Sequence, residues 1–231
     1  MRHLRLKPII DQEAAWPADG RALLAQYDAE TVVVYQAYSP QIGRYAAQHG
    51  HFGEGFRLDR MSWIKPGFLW MMHRSEWGSE AGQECVLALW LRRDAFETIL
   101  GAAVPSSYQA ALYRSKDDWQ RAVDQSEVRA QWDPDWDARN IKLKRRVIQL
   151  GLVGETLRRF AQEWLVEVQD ISDFVREQAR YRREPEMMLT PAEKAYSPAD
   201  PAIARRLGID TELSPVRPEE RLGQRRKTRS G

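Results

Sequence analysis

The 231-residue sequence predicts an α+β fold: a single compact domain with a small mixed or antiparallel sheet flanked by helices. Three observations carry that expectation. Two apolar runs, TVVVY at 31–35 and VLALWL at 86–91, are too short for buried helices and read as strands. Each is followed at once by residues at helical spacing, and a longer amphipathic stretch at 154–168 places Leu157, Phe160, Ala161, Trp164 and Leu165 on one face. Hydrophobic residues make up 43% of the chain, enough at this length for one sizeable core and hence one domain.

In chain order, the first strand ends in Gln36, Ala37 and Tyr38. Ser39-Pro40 then supplies an N-cap and a proline at the first helical position, and Ile42, Tyr45, Ala46 and His49 recur at helical spacing until Gly50 stops the pattern. Between the strands lies RMSWIKPGFLWMMHRSEW, residues 60–77, which holds three of the nine tryptophans. Pro66 is tolerated at a helix start but pushes its predecessor into an extended conformation, so 60–65 is extended and 66–77 helical. After the second strand, 93–100 forms a helical turn with Phe96, Ile99 and Leu100 on one side. Residues 106–124 read as an amphipathic helix, and QWDPDWD at 131–137 reads as a turn because of its Asp-Pro step and repeated acids. Lys142, Lys144, Arg145 and Arg146 run into the apolar VIQLGL at 147–152. The end of the next helix, LVEVQD at 165–170, fits a strand as well. Six of the twelve prolines follow Glu184, and the last fifteen residues hold six basic and two acidic side chains. The expected organisation is therefore a globular domain over 1–182, then a Pro-rich wrapping segment and basic tail over 183–231.

A net charge of +2 creates no global attraction to nucleic acid or membrane, so any such attraction must be local. The single cysteine, Cys85, sits in an apolar run and reads as a buried hydrophobe, which suits a reducing cytoplasm. Residues 1–8 lack a signal-peptide core, and nowhere do about 18 apolar residues run together, so a soluble cytoplasmic protein with no membrane partner is expected. No HEXXH, P-loop, GxGxxG or GxSxG motif occurs. His49 and His51 have no zinc-like company, and the alternating Asp133, Asp135 and Asp137 lack the glycine and distal glutamate of a calcium loop, so no metal is expected.

The chemistry concentrates in 60–77. An ordinary core segment keeps its cations on one side, whereas here Arg60, Lys65, His73 and Arg74 interleave with Trp63, Phe68, Trp70 and Met71. Arg60, Lys65 and Arg74 can hold an anion such as a diphosphate, while Trp63 or Trp70 stacks on a base or nicotinamide ring. The extended half is the better site and the helical half mostly core. Gln36 and Tyr38 bring hydrogen-bonding groups to a strand end, where ligand sites often collect. A second, nucleic-acid reading rests on Trp132, Lys142, Arg145, Arg146 and the basic tail.

Four boxes in order, YQAYSP at 35–40, RMSWIKP at 60–66 with FLWMM at 68–72, QWDPD at 131–135 and RRVIQLGL at 145–152, resemble the domain-of-unknown-function family 4291 over nearly all of residues 1–210. Two positions depart from the family pattern: His73 stands where a tyrosine is usual and Trp136 where a histidine is usual. At fold level, the order of elements is also similar to ADP-ribosyltransferases: a strand ending in a key polar residue, a short helix and glycine, an aromatic segment, then a strand bearing a catalytic glutamate, here Glu163 or Glu167. Gln36 departs from the His or Arg usual at the first of these positions. That resemblance implies NAD as cofactor, with Gln36 and Tyr38 contacting it, Trp63 stacking on nicotinamide, Arg60 or Lys65 neutralising the diphosphate, and Glu167 orienting the ribose or activating the acceptor. The function it implies is a nucleotide-dependent transferase, an NAD-dependent ADP-ribosyltransferase acting on a nucleic acid or protein, and it requires Gln36, Trp63 and Glu167 to converge. The alternative is a non-enzymatic RNA or single-stranded DNA binding module.

Overall fold

The valine run at 31–35 sits inside the hydrophobic core of a computed structural model that describes residues 2–210. The elements in order are β1 (Leu6–Pro8), α1 (Ile9–Ala15), β2 (Leu24–Ala25), β3 (Thr31–Tyr38), α2 (Pro40–His49), β4 (Ser62–Ile64), α3 (Phe68–Arg74), β5 (Cys85–Arg92), α4 (Arg93–Ala102), β6 (Val104–Pro105), α5 (Lys116–Gln125), β7 (Val128–Trp136), β8 (Lys142–Leu152), α6 (Gly154–Gln162), β9 (Leu165–Asp170), α7 (Ser172–Ala179), a 3-10 turn (Pro185–Met187), β10 (Leu189–Pro191), β11 (Lys194–Ala195) and α8 (Pro201–Leu207). These form one compact α+β domain.

Two sheets organise it. One has the order β3-β5-β9, antiparallel throughout, and the other β4-β8-β7-β6, antiparallel except where β6 meets β7. A backbone bridge joins them: Tyr35 N–H donates to Lys65 O at 2.7 Å and Lys65 N–H to Tyr35 O at 3.2 Å. Strand alternation divides the core in two. Val32, Val34, Leu87, Leu89 and Leu91 pack with Ile64, Val128, Leu150 and Leu152 between the sheets. On the other face of the first sheet, Val33, Tyr35, Val86, Ala88 and Trp90 meet Phe68, Met71 and Met72 of α3 and Val175 of α7. All five residues from Phe68 to Met72 are buried, which is why so short a helix persists: packing on both sides stabilises it more than propensity does.

Four expectations change. The QWDPD stretch is not a turn but the outer half of β7, where Gln131 and Asp133 alternate with Trp132. The Asp-Pro signal survives as a register shift between Pro134 and Trp136, where proline supplies no ladder N–H. The turn comes at 137–141, held by Asp137 Oδ1 accepting from Arg139 N and Ile141 N, with Asn140 in the left-handed region at φ 64°. The helix expected over 106–124 begins only at Lys116, where Ser115 Oγ accepts from Asp118 N at 3.0 Å. The ambiguous 165–170 stretch is strand β9. Finally, the segment beyond 182 wraps the domain but also belongs to its core: β10 pairs with β1, β11 with β2, and Met188, Tyr196 and Leu207 are buried. Met187 and Leu189 stay exposed, but the buried Met188, Tyr196 and Leu207 join the described part of this segment to the domain, so a boundary at 182 separates no appendage there. The basic run at 217–231 lies outside the described residues. No helix among the described residues is long and apolar enough to cross a membrane.

Candidate functional site

The face of the four-stranded sheet turned away from the inter-sheet core carries the concentration of polar groups. Register fixes its grid. Trp63 lies opposite Gly151, which lies opposite Arg129. Two residues along each strand, about 7 Å away, come Lys65, Gln149 and Gln131, with Gln149 and Gln131 paired; a further step brings Val147 opposite Asp133. Gly151 makes room for the Trp63 ring: a Cβ there would lie 2.5 Å from Met61 Sδ and 3.0 Å from the ring itself. Asp133 is fixed by two amides, with Oδ1 accepting from Gln131 Nε2 at 2.8 Å and Oδ2 from Gln149 Nε2 at 2.7 Å.

Lys65 dominates the electrostatics of this face. It is 6% exposed, yet among the described residues its ammonium makes no ion pair and no hydrogen bond. Burial, and then the charge of Arg74, pull its pKa down to about 8, with Asp133 opposing them. Arg74, at the exposed end of α3, also has no ion pair among the described residues. Two cations without an ion pair among the described residues, Lys65 and the exposed Arg74, thus lie within each other's field, and Asp133 acts on Lys65 from β7. The helix that presents Arg74 is set in place by the wrapping segment, whose buried Glu193 accepts from Phe68 N through Oε1 at 2.7 Å. Burial holds the Glu193 carboxyl well above the usual range.

Several residues expected at a site lie elsewhere. Gln36 and Tyr38 are behind β4: Gln36 Nε2 donates to Ser62 Oγ at 2.9 Å and to Trp63 O at 3.1 Å, and the Tyr38 hydroxyl bonds Ser62 Oγ at 2.7 Å. They brace the strand that carries Trp63. Arg60 is exposed and acts on Tyr38, whose hydroxyl is pushed up to about 12 by burial, so it belongs to that side rather than to Lys65. Glu167 stands opposite Trp90 on β9 and accepts from Arg2 N and from Gln169 Nε2, both at 2.6 Å. Gln36 shares the sheet face of Val32 and Val34, whereas Glu167 shares that of Trp90. Gln36, Trp63 and Glu167 therefore do not converge, and Glu167 has no route to Trp63.

The nucleic-acid set dissolves for a similar reason. Trp132 Nε1 donates to Leu207 O at 2.8 Å, so its indole is tied to α8. Arg145 is buried, forked onto Asp135, bonded to Pro17 O at 2.7 Å and lying over the Trp16 ring. Arg146 is exposed but donates to Trp132 O at 2.6 Å, and Lys142 is exposed alone. Arg145 faces the opposite side of β8 from Lys142 and Arg146 and is withdrawn into the ion pair with Asp135. The residues that sequence reasoning missed are Asp133, Gln131 and Gln149. Their signal was the period-2 alternation on β7, concealed by the Asp-Pro step.

The helical half of 60–77 is core, as expected, with one addition. His73 is sandwiched between Trp70 and Trp136, with ring centroids at 5.4 and 4.1 Å and planes 19° and 14° apart, and its Nδ1 lies 2.5 Å from Asn140 Oδ1.

A family model described as "Domain of unknown function (DUF4291)" matches residues 22–196, three quarters of the chain and all of the polar face. The chain belongs to the DUF4291 family. No curated protein matches it. Membership in DUF4291 lends no support to the ADP-ribosyltransferase resemblance. His73 and Trp136, the two positions at which the sequence resemblance to DUF4291 expects other residues, are in direct contact.

Proposed function

We propose that this protein is a nucleotide-dependent transferase whose nucleotide lies on the outer face of β4, β8 and β7. The observation that carries this reading is the pair of cations without ion-pair partners among the described residues, Lys65 and Arg74, the first one strand step from the half-buried ring of Trp63. Holding two like charges together, one of them nearly buried, costs stability, and a polyanion would relieve that cost. One strand step separates Trp63 from Lys65, the room a sugar needs between a stacked ring and its phosphate. NAD is a ligand of this shape, and so are other nucleotides.

The roles follow from the grid. Trp63 stacks on the planar ring, Lys65 and Arg74 bind the phosphates and stabilise the charge that develops on the leaving group, and Asp133 stands one step beyond them. An acceptor hydroxyl or amine there would pass its proton to Asp133 as it attacks a phosphorus of the nucleotide; the P–O bond to the departing phosphate breaks, and Lys65 and Arg74 hold the charge it carries away. Asp133 takes the place that sequence reasoning gave to Glu167. A cytoplasmic setting fits the one cysteine, Cys85, whose thiol is buried and pushed up to about 12 by that burial.

The test is calorimetric titration and thermal shift with NAD⁺, ATP and inorganic triphosphate. Nucleotides should raise the melting temperature, Trp63→Ala should weaken nucleotides but not inorganic triphosphate, and Lys65→Met should weaken all three. The reading fails if none binds at millimolar concentration.

A further inference from the structure

We propose that a second pocket, sharing no residue with the polar face of β4, β8 and β7, binds a small monocarboxylate. The pocket has a volume of about 160 Å³ and lies beside residues 2–5. The main chain there is tied down at both ends: Arg2 N donates to Glu167 Oε2 of β9 at 2.6 Å, and Arg5 N donates to Gln26 Oε1, just after β2, at 3.0 Å. The volume is roughly ten times what one water needs, room for a molecule of several heavy atoms. The floor is apolar. Val33 and Trp90 stand opposite each other on β3 and β5, and both are buried.

Two donors in the wall have nothing to donate to. Gln26 is 3% exposed, and because its Oε1 receives the Arg5 N–H, the Nε2 is the atom left over. It makes no hydrogen bond among the described residues, and neither does the indole N–H of Trp90, a residue 2% exposed. Neither nitrogen is among the atoms sealed in packing without a partner, so each donor, in a residue with almost no other exposure, opens onto the cavity that the residue lines. A nearly buried N–H without an acceptor costs stability, and a ligand oxygen would relieve that cost.

The charges select the ligand. Arg2 is taken up by Asp28 at 3.1 Å and Glu30 at 2.5 Å, and Asp28 also accepts from Thr31 N, Thr31 Oγ1 and Glu30 N. Arg5 donates to Tyr27 O at 2.8 Å but makes no ion pair among the described residues. One guanidinium is therefore left without a counter-charge, and a single negative charge balances it. A dianion would stand against Asp28. The carboxylate oxygens accept from Gln26 Nε2, Trp90 Nε1 and the Arg5 guanidinium, and a short alkyl tail covers Val33 and the edge of the Trp90 ring.

Titration of the full chain with sodium butyrate tests this, read by calorimetry and by the indole N–H resonances in nitrogen-15 correlation spectra. The six heavy atoms of butyrate support roughly millimolar affinity. One indole resonance, the one missing from Trp90→Phe, should move and saturate. Acetate, two methylenes shorter, should bind about tenfold more weakly, and neutral butyramide should not bind measurably. Gln26→Glu keeps the oxygen that receives the Arg5 N–H and turns the donor into an anion, so it should fold and bind butyrate at least about tenfold more weakly, a calorimetric result that needs no Trp90 variant. Arg5→Gln should weaken binding by about tenfold. No saturation at about ten times the millimolar range, butyramide bound as well as butyrate, or Gln26→Glu binding like its parent overturns the site. Inorganic phosphate bound more tightly than butyrate overturns the choice of a monoanion.

Discussion

Replacing Lys65 by methionine should make the protein more stable while removing its ligand binding. The side chain is 6% exposed and its ammonium, which is not among the fully buried unpartnered atoms, makes no ion pair among the described residues, so folding removes part of its hydration and returns only the field of Asp133. The lowering from 10.5 to about 8 measures that cost: at 1.36 kcal/mol per decade it comes to about 3 kcal/mol at pH 7. Methionine keeps an unbranched stem in the same space without the charge. The sign with pH follows. Because the folded-state pKa lies below the unfolded one, the unfolded chain holds more protons between about 8 and 10.5, and the stability of the unaltered protein rises with pH over that window. Lys65→Met should therefore unfold about 6–12 °C higher at pH 7, for a chain of this length, and most of that advantage should vanish by pH 10.5. Urea denaturation at pH 7 and pH 10 gives the free energies directly. A variant no more stable than its parent at pH 7, or an advantage independent of pH, would refute the claim that Lys65 is a buried charge without an ion-pair partner and with it the main support for the site.

Three further outcomes are expected. Gly151→Ala should displace the Trp63 ring, destabilise the fold by about 1–2 kcal/mol and weaken nucleotides while sparing inorganic triphosphate; equal loss for both ligands in calorimetry would contradict the division of roles. Asp133→Asn keeps the shape but removes the charge, so nucleotide affinity should hold while transfer, once an acceptor is found, falls by about a hundredfold or more. Glu13 is half-buried and its carboxyl is raised to about 7, chiefly by burial and then by Asp137. Its contribution to stability is present below 4.5 and is lost as the pH rises through 7, so Glu13→Gln should gain about 1–2 kcal/mol at pH 8 and nothing at pH 4, read by denaturant titration.

Much of the fold was legible because local signals and packing agreed. The valine run and the Ser-Pro helix start lie where β3 and α2 form, and Pro66 does separate an extended half from a helical one. Failures came where a local signal was outvoted. Asp-Pro in 133–134 marks a ladder irregularity inside a strand, since pairing with β8 on one side and packing of Trp132 against α8 on the other outweigh the turn tendency. Tyr108 and Leu112 suggested a helix, but the helix forms only from Lys116, where Ser115 caps it by accepting from Asp118 N. Of the site, Trp63, Lys65 and Arg74 could be read from the interleaving of cations and rings. Gln36, Tyr38 and Glu167 could not be placed, because which face a side chain takes depends on register: Gln36 and Glu167 lie on opposite faces of one sheet, a relation no single segment contains. Arg145 and Trp132 likewise looked available only because Asp135, Pro17 and Leu207, which engage them, are distant or oppositely directed in sequence.

The contact between His73 and Trp136 joins two positions at which the sequence resemblance expects other residues. That resemblance expects a tyrosine at 73 and a histidine at 136, which in the sequence alone are unrelated positions 63 residues apart. In the fold they are adjacent rings in one stack, Trp70, His73, Trp136, which holds the end of α3 against the tip of β7. That end carries Arg74, so the stack helps to fix one of the two cations of the proposed site. If the two rings act as one unit, placing tyrosine at 73 or histidine at 136 alone should cost stability, while making both changes should cost less than the sum. Aromatic pairs of this geometry are worth about 0.5–1.5 kcal/mol beyond their buried area, so a coupling of that size is expected from the double-mutant cycle of His73→Tyr and Trp136→His. The same cycle read in nucleotide affinity tests whether the stack positions Arg74. Additive stability changes would mean that the two rings touch without depending on each other, and coupling in stability but not in affinity would confine the stack to holding the fold.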